Sequence, residues 1–212
     1  MTMNEDKKTQ KIEQRKDQIL AAAKHIFATN GFRRTRIDQI AEYISLGKGT
    51  LYRYFPDKKS LFLAVFEQGF ASLRRTMAEN VEPITDPKQK IAAAVENYFK
   101  FFDNDRQLIE LMMQVRSEFK DDYRRIFMEI YSDYIVKIQE TIRTGIKTGV
   151  FRSVDVEKTA EAFSAMLHGI LQDFYVREFG PDGTLAKKEL LTDKINAVTS
   201  LLMEGLLERG HK

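Results

Sequence analysis

Residues 47–55, GKGTLYRYF, place several hydrogen-bonding side chains on a segment of about two helical turns. Leu51 and Phe55 stand four residues apart, so both can pack on one core. The remaining large side chains then point outward: Lys48, Thr50, Tyr52, Arg53 and Tyr54. Such a face can donate hydrogen bonds to phosphates and place aromatic edges against base methyl groups. Gly49 allows close approach of the backbone, where free N–H groups suit a phosphate.

Two more short helices precede this segment. The first has one apolar stripe, Ile19, Ala22, Ala23, Ile26 and Phe27, and Asn30-Gly31 is expected to end it. Thr35 stands three residues before Asp38, which is the pattern of a capping box at the start of the second helix. Ser45-Leu46-Gly47 then forms a tight turn. The arrangement predicts a helix-turn-helix, whose second helix lies in the major groove of DNA.

The stretch TRIDQIAEYISLGKGTLYRYFPDKKSLF resembles the DNA-binding signature of the tetracycline-repressor (TetR) family of bacterial transcription factors. The shared features are the early Thr, the Ile-Ala of the second helix, GTLYxYF, and the Lys-x-x-Leu that opens the fourth helix. The resemblance implies DNA contacts from Thr35, Arg36, Lys48, Thr50, Tyr52, Tyr54 and Lys58. It places Lys58 where such proteins clamp the DNA backbone.

Two positions depart from the family pattern. The turn usually has glycine where this chain has Ser45, and a small polar N-cap where it has Gly47. Glycine is an acceptable N-cap. Serine suits the turn only if its φ is not positive, or if the fold accepts some strain. The sequence leaves these two alternatives open.

The rest of the chain has helical periodicity and no convincing strand, which predicts an all-α fold of about nine helices. Residues 1–58 are expected to form a three-helix DNA-binding domain, with residues 1–12 as a disordered tail. Residues 59–212 are expected to form a larger effector-binding and dimerisation domain.

The middle helices are rich in aromatic and methionine side chains, a composition that suits both an ordinary core and an apolar ligand pocket. The family resemblance implies an effector pocket between these helices. Its expected lining is Phe70, Phe99, Phe102, Met112, Met113, Tyr123, Phe127 and Tyr131. Arg116 could bind a carboxylate or phosphate, and His168 or Gln172 could donate a hydrogen bond. We therefore expect a lipophilic or aromatic effector with a polar end.

The last two helices, about 155–179 and 186–209, are apolar on more than one side. A helix that is apolar on two sides must be covered on both. One side would pack on its own chain and the other on a second copy. Two such helices from each chain predict a homodimer joined by a four-helix bundle.

Composition excludes several classes of protein. No apolar run approaches the roughly 18 residues that span a bilayer, and the polar N-terminus does not resemble a signal peptide, so we expect a cytoplasmic protein with no membrane partner. Because the chain has no cysteine, it has no disulfide or thiolate zinc site, and no metal or cofactor is expected. Its 3 histidines lie far apart and no phosphate-binding glycine-rich loop occurs, which argues against an enzyme.

Charge is distributed unevenly along a chain whose net charge is +3. Residues 1–60 contain 13 Lys and Arg residues against 7 Asp and Glu residues, whereas the remainder is slightly acidic. A basic module on an acidic body is typical of a nucleic-acid-binding protein. The sequence thus predicts a ligand-released repressor that binds a palindromic operator as a homodimer. The alternative is an activator, or a regulator controlled by a protein partner, with the same fold.

Overall fold

The computed structural model describes residues 3–178 and 189–207, which form nine α-helices. They are α1 (Met3–Asn30), α2 (Ile37–Tyr43), α3 (Lys48–Tyr54), α4 (Lys58–Asn80), α5 (Pro87–Asn104), α6 (Arg106–Glu118), α7 (Lys120–Lys147), α8 (Val156–Glu178) and α9 (Glu189–Leu206). Within these residues the β pairing is one isolated antiparallel bridge between Phe151 and Leu207. The predicted all-α fold is confirmed.

Helix ends follow the sequence signals in one case and depart from them in two. α1 ends at Asn30, and Gly31 has a φ of +79°, as expected of a glycine that terminates a helix. The predicted disordered tail is wrong from residue 3 onward, because α1 begins at Met3. The capping box predicted from Thr35 and Asp38 at the start of α2 is also wrong. Its N-cap is Arg36, whose N–H donates to Gln39 Oε1 at 2.8 Å.

The chain divides into two compact units. The first contains Met1–Ala71 and Asp105–Ile126, and the second contains Ser72–Asn104 and Phe127–Lys212. This division differs from the predicted boundary after residue 58, because it groups α6 and the first part of α4 with the DNA-binding helices. α4 and α7 each contribute residues to both units.

In the first unit, four phenylalanines pack around the end of α1. The Phe62 ring lies 4.9 Å from Phe27 and 5.0 Å from Phe32, and Phe32 lies 4.8 Å from Phe119. Gly69 makes room for the buried Leu108 of α6, whose methyl groups would overlap a Cβ at that position. α6 therefore belongs to the same core as α1 and α4.

In the second unit, α5 packs against α9 and α8 contributes a buried stripe. The fully buried side chains include Val95, Phe99, Phe102, Phe151, Ala160, Phe163, Leu167 and Leu171. No helix in the described ranges is long and apolar enough to cross a membrane. The segment GPDG, predicted to separate the last two helices, lies outside the described residues.

Candidate nucleic-acid interface

The turn between α2 and α3 contains a residue in a left-handed conformation. Ser45 has a φ of 52°, and its N–H donates to Glu42 O at 3.0 Å. The next N–H, of Leu46, donates to Ala41 O at 2.8 Å. A side chain in this conformation costs about 1–2 kcal/mol relative to the right-handed one. Of the two alternatives for Ser45, the structure adopts the strained one.

α3 has one face in the core and one face outside. Leu51 is 0% exposed and Phe55 is 5% exposed, so both point inward as predicted. On the outside, Tyr52 is 40% exposed, and Lys48, Gly49 and Arg53 are also exposed. Thr50 and Tyr54 are half-buried. These residues together form the outer face of α3, a surface of hydroxyl, ammonium and guanidinium donors beside open backbone.

Lys48 is held by a carboxylate that the sequence did not single out. Its Nζ donates to Asp38 Oδ2 at 2.9 Å and lies 6.0 Å from the centre of the Tyr52 ring. The hydrogen bond and the negative charge of Asp38 raise the pKa of the Lys48 ammonium above its ordinary value. Asp38 Oδ1 is buried and has no hydrogen-bond partner in the described structure. No spacing rule links residues across the turn, so this pair could not be read from the sequence.

The two predicted contacts before α2 lie in different environments. Thr35 is 1% exposed, and its hydroxyl donates to Gly31 O at 2.8 Å. The Thr35 side chain is therefore engaged in a hydrogen bond within the loop, and a DNA contact at this residue would have to come from its backbone. The Arg36 side chain is 73% exposed, 4.0 Å from Asp38, and can reach a phosphate. DNA contact at both residues stays a prediction.

Lys58 is the most heavily bonded of the predicted DNA-contacting residues. Its Nζ donates to the carbonyl oxygens of Phe32 at 2.9 Å and Thr35 at 2.9 Å, with Arg33 O at 3.4 Å. It also lies 4.4 Å from the centre of the Phe32 ring. An ammonium group has three donors, and all three face carbonyls here. A phosphate contact at Lys58, which stays a prediction, would require one of these bonds to be exchanged.

α6 supports the same loop from the other side. Gln114 accepts from the Phe32 N–H at 2.9 Å and donates to Phe27 O at 3.0 Å. Glu118 pairs with Arg33 at 2.8 Å, and Lys24 pairs with Asp105 at the start of α6. These supporting residues were not predicted from the sequence. Gln114 lies 82 and 87 positions from its two partners, and no local pattern marks such a pair.

The residues predicted to line an effector pocket are divided between the two units. Phe70, Met112, Met113, Arg116 and Tyr123 belong to the first, and Phe99, Phe102, Phe127, Tyr131, His168 and Gln172 belong to the second.

Within the second unit, Phe127 stacks on Tyr131 at 5.7 Å and lies 5.7 Å from His168, whose Nε2 is 2.8 Å from Gln172 Nε2. Phe99 and Phe102 are fully buried core residues. In the first unit, Phe70 and Met112 are buried, Met113 and Tyr123 are half-buried and Arg116 is exposed. Burial raises the pKa of the Tyr123 hydroxyl. In the described ranges, no three His, Cys, Asp or Glu side chains are grouped so as to hold a metal ion.

Two sequence profiles match most of the chain. The profile of bacterial regulatory proteins of the tetR family matches residues 19–65, which contain the helix-turn-helix. The profile of the tetracyclin repressor-like C-terminal domain matches residues 85–202. The chain belongs to the TetR family. TetR-family membership makes it a DNA-binding transcriptional regulator and not an enzyme.

Individual relatives are distant. The transcriptional activator FasR of Mycolicibacterium smegmatis is 32% identical over 111 residues, which are 52% of this chain and 48% of FasR. The match thus spans about half the length of that relative. The fatty acid metabolism regulator protein of Bacillus subtilis is 23% identical over 190 residues, covering 89% of this chain and 94% of that protein.

Solved structures of TetR-like regulators share the fold. A transcriptional regulator from Saccharomonospora viridis in complex with choline has a TM-score of 0.78 at 23% identity, covering 93% of this chain and 100% of that one. The fatty acid degradation regulator FadR from Bacillus halodurans has a TM-score of 0.74 at 22% identity, covering 92% and 97%. At these identities the likeness establishes the fold alone.

The strain at Ser45 leads to a stability prediction. Ser45→Gly should raise the free energy of unfolding by about 0.5–1 kcal/mol, because relief of the left-handed strain exceeds the greater entropy that glycine has in the unfolded chain. Ser45→Ala keeps the Cβ and should bring no gain. Urea denaturation of the three proteins measures the differences. Equal gains from Gly and Ala would show that the serine hydroxyl, and not the backbone, is the unfavourable group.

The contacts of Lys58 lead to a second stability prediction. Lys58→Met keeps most of the side-chain stem but leaves partly buried carbonyls without their charged donor, so it should cost about 1–3 kcal/mol of unfolding free energy. Lys59→Met is the matched control. Lys59 is 50% exposed and pairs with Asp122 at 2.7 Å, an arrangement expected to contribute about 0–1 kcal/mol. If urea denaturation shows a smaller loss of unfolding free energy for Lys58→Met than for Lys59→Met, the hydrogen bonds of Lys58 to the loop carbonyls do not stabilise the fold as proposed.

Proposed function

We propose that the chain is a repressor that binds a palindromic operator as a homodimer and leaves it when a small molecule binds. The observation that supports DNA reading is the outer face of α3. Leu51 and Phe55 fix the helix in the core, and this fixes the direction in which Tyr52, Lys48 and Arg53 project. A recognition helix that is rigidly held on its inner side can present donors to base edges at a defined depth in the major groove.

The side chains of this face divide into two kinds of contact. Lys48 and Arg53 carry full charges and suit phosphates, which position the protein without reading sequence. Tyr52 and Thr50 carry a hydroxyl with a methyl or ring, and suit base edges and thymine methyl groups. A Cβ added to Gly49 would meet open space, with nothing within 4 Å, so the start of α3 is open to a phosphate. The proposed site thus has a positioning part and a reading part.

Dimerisation is proposed through α8 and α9. Along α8, Ala160, Phe163 and Leu167 are buried, whereas Ala162, Ala165 and Gly169 are exposed on other sides. On α9, Val198 and Leu206 are buried whereas Leu201 is 64% exposed. Small residues on α8 would permit close approach of a second helix, and Leu201 would be covered by it. The predicted four-helix bundle fits this pattern.

A small-molecule effector is proposed because one structural relative is bound to choline. Two other relatives are named as regulators of fatty acid metabolism and of fatty acid degradation. For this chain we propose a lipophilic or aromatic molecule with a polar end. α4 starts directly after the DNA-reading segment and continues into the second unit. A ligand that favours another position of α4 would misplace both copies of α3, which must be about 34–36 Å apart. Linkage then requires that operator DNA weakens effector binding by the same factor.

A second candidate is an activator with the same fold. It is favoured by the relative FasR, which is described as a transcriptional activator and is 32% identical over 111 residues. DNA binding by α3 would be the same in both cases. A repressor and an activator differ in whether the DNA-bound protein blocks or assists transcription. A reporter assay of a regulated promoter, with and without the gene for this protein, distinguishes them.

DNA reading is tested with an operator selected from a randomised duplex library. Lys48→Ala should weaken binding to all duplexes alike and lower the salt slope by about one unit. Tyr52→Ala should instead cost about 1–3 kcal/mol and relax preference at particular base pairs. Lys120→Ala, an exposed lysine at the start of α7, is the control and should change neither quantity. Wild-type affinity in both Lys48→Ala and Tyr52→Ala would refute this placement of α3.

Dimerisation is tested by light scattering at micromolar concentration. The wild-type protein should scatter with twice the chain mass of 24.6 kDa. Leu201→Glu should produce the single-chain mass, because a carboxylate would be buried between the chains without a partner. Val136→Glu is the control, since Val136 on α7 is 47% exposed and lies outside the proposed bundle. A wild-type protein of single-chain mass would exclude the proposed dimer.

A further inference from the structure

Lys58 stands at the first position of α4, where the family resemblance places a clamp on the DNA backbone, yet its ammonium is turned towards the protein. Its Nζ faces the carbonyl oxygens of Phe32, Arg33 and Thr35 at 2.9, 3.4 and 2.9 Å. These three acceptors match the three donors of an ammonium group. A phosphate beside the start of α4 would therefore find the donors of Lys58 occupied.

Two other cations lie beside Lys58, and each is paired with a carboxylate near the junction of α6 and α7. Arg33, whose backbone oxygen faces the Lys58 ammonium, pairs with Glu118 at 2.8 Å. Lys59, the next residue of α4, pairs with Asp122 at 2.7 Å. All of these residues belong to the first unit. We call the two ion pairs the flanking pairs.

In each flanking pair the cation is more exposed than the carboxylate. The side chains of Arg33 and Lys59 are 80% and 50% exposed, whereas those of Glu118 and Asp122 are 21% and 26% exposed. An ion pair whose cation lies in solvent contributes little to stability, because water and salt screen it. Either cation can therefore exchange its carboxylate for another anion at small cost.

Aromatic packing holds the flanking pairs beside the loop that leads into α2. Phe119, which stands between the two carboxylates in the sequence, has its ring 4.8 Å from the Phe32 ring and 5.1 Å from Lys59 Nζ. The Phe32 ring in turn lies 4.4 Å from the Lys58 ammonium. The exposed cations are thus fixed next to the residue that the family resemblance assigns to the DNA backbone.

We propose that Arg33 and Lys59 bind phosphates of the DNA backbone while Lys58 fixes the loop, and that Glu118 and Asp122 compete with those phosphates. Near DNA a phosphate is the better partner, because its condensed counterions are released when a cation of the protein binds it. In the free protein the carboxylates neutralise both cations, which lowers the affinity for DNA of any sequence. This inference rests on the proposed function above, since it assumes that α3 lies in the major groove.

The test measures fluorescence anisotropy of the selected operator and of an unrelated duplex of equal length, over a range of salt concentrations. Arg33→Gln and Lys59→Gln should each lower the salt slope by about one unit and weaken binding about fivefold at about 150 mM salt. Because a phosphate contact does not read sequence, both duplexes should lose the same factor. Arg33→Lys and Lys59→Arg retain the charge and should keep the wild-type slope. An unchanged slope in either glutamine variant overturns the assignment of that residue.

The carboxylate variants distinguish competition from a structural role. Glu118→Gln and Asp122→Asn should tighten binding to both duplexes by about two- to fivefold at low salt, the range that an exposed ion pair is worth. They should also steepen the salt slope, because no carboxylate then takes up a cation when Arg33 or Lys59 leaves it. If the carboxylates only hold the junction in place, the same variants should weaken binding. Unchanged or weaker binding overturns the proposed competition.

Arg125 and Glu67 form the matched control pair. They also lie in the first unit, pair at 3.6 Å, and have side chains that are 52% and 51% exposed. Glu67, however, stands nine residues after Lys58, which is about 14 Å further along the axis of α4. Arg125→Gln and Glu67→Gln should therefore change neither the salt slope nor the affinity. Equal effects at this pair and at the flanking pairs would mean that binding responds to net charge alone, and the proposal would fail.

The ratio of the two affinities separates this inference from the placement of α3. Tyr52→Ala should lower the ratio of operator to unrelated-duplex affinity, whereas changes in the flanking pairs should leave that ratio unchanged. If Tyr52→Ala lowers the ratio while Arg33→Gln and Lys59→Gln keep the wild-type slope, this inference fails and the proposed function stands. If Tyr52→Ala leaves the ratio unchanged, the placement of α3 fails, and the slopes still report whether Arg33 and Lys59 bind phosphates.

Discussion

The geometry of the DNA-reading helices depends on the ammonium group of Lys58. In the loop between α1 and α2, the backbone carbonyl oxygens of Phe32 and Thr35 need hydrogen-bond donors. Lys58, at the first position of α4, donates to both at 2.9 Å. The Phe32 ring lies against the same ammonium and against Phe62 of α4. A single side chain therefore fixes where α2 begins relative to α4, and α3 follows through the tight turn at Ser45.

α6 completes this support, and for that reason the first unit does not end after α3. Gln114 accepts from the Phe32 N–H, and it donates a second hydrogen bond to Phe27 O, which also accepts from the Gly31 N–H. Glu118 adds an ion pair to Arg33 in the same loop. A displacement of α6 would break backbone hydrogen bonds of the loop that leads into α2. This gives the proposed regulation a physical route within the first unit alone.

The sequence predicts the structure correctly where local spacing decides it. The period of apolar residues predicted the helices, the i, i+4 pair of Leu51 and Phe55 predicted the inner side of α3, and Gly31 predicted the end of α1. Prediction failed at Thr35 because two local patterns compete there: Thr35 fits a capping box in sequence, yet its hydroxyl donates to Gly31 O, four residues earlier. Prediction also failed where a hydrogen-bond partner lies far along the chain. Nothing near Lys58 in the sequence indicates that its ammonium faces three carbonyl oxygens. Nothing near Tyr134 indicates that its hydroxyl has no hydrogen-bond partner in the described structure. Such features depend on tertiary packing, which no short pattern encodes.

The ion pair between Lys48 and Asp38 affects what the outer face of α3 can contribute to binding. In the free protein the ammonium is held 2.9 Å from a carboxylate, with 59% of the lysine side chain exposed. A phosphate that takes this ammonium replaces one exposed ion pair by another, so the gain comes mainly from the counterions released from DNA. The same exchange would leave the Asp38 carboxylate close to a phosphate, and two negative charges repel. It is unfavourable unless Arg36, 4.0 Å from Asp38, replaces Lys48 as the partner of the carboxylate. Lys48 and Arg36 are thus coupled through one carboxylate. Phosphate binding by either residue should therefore depend on whether Lys48 or Arg36 stays paired with Asp38.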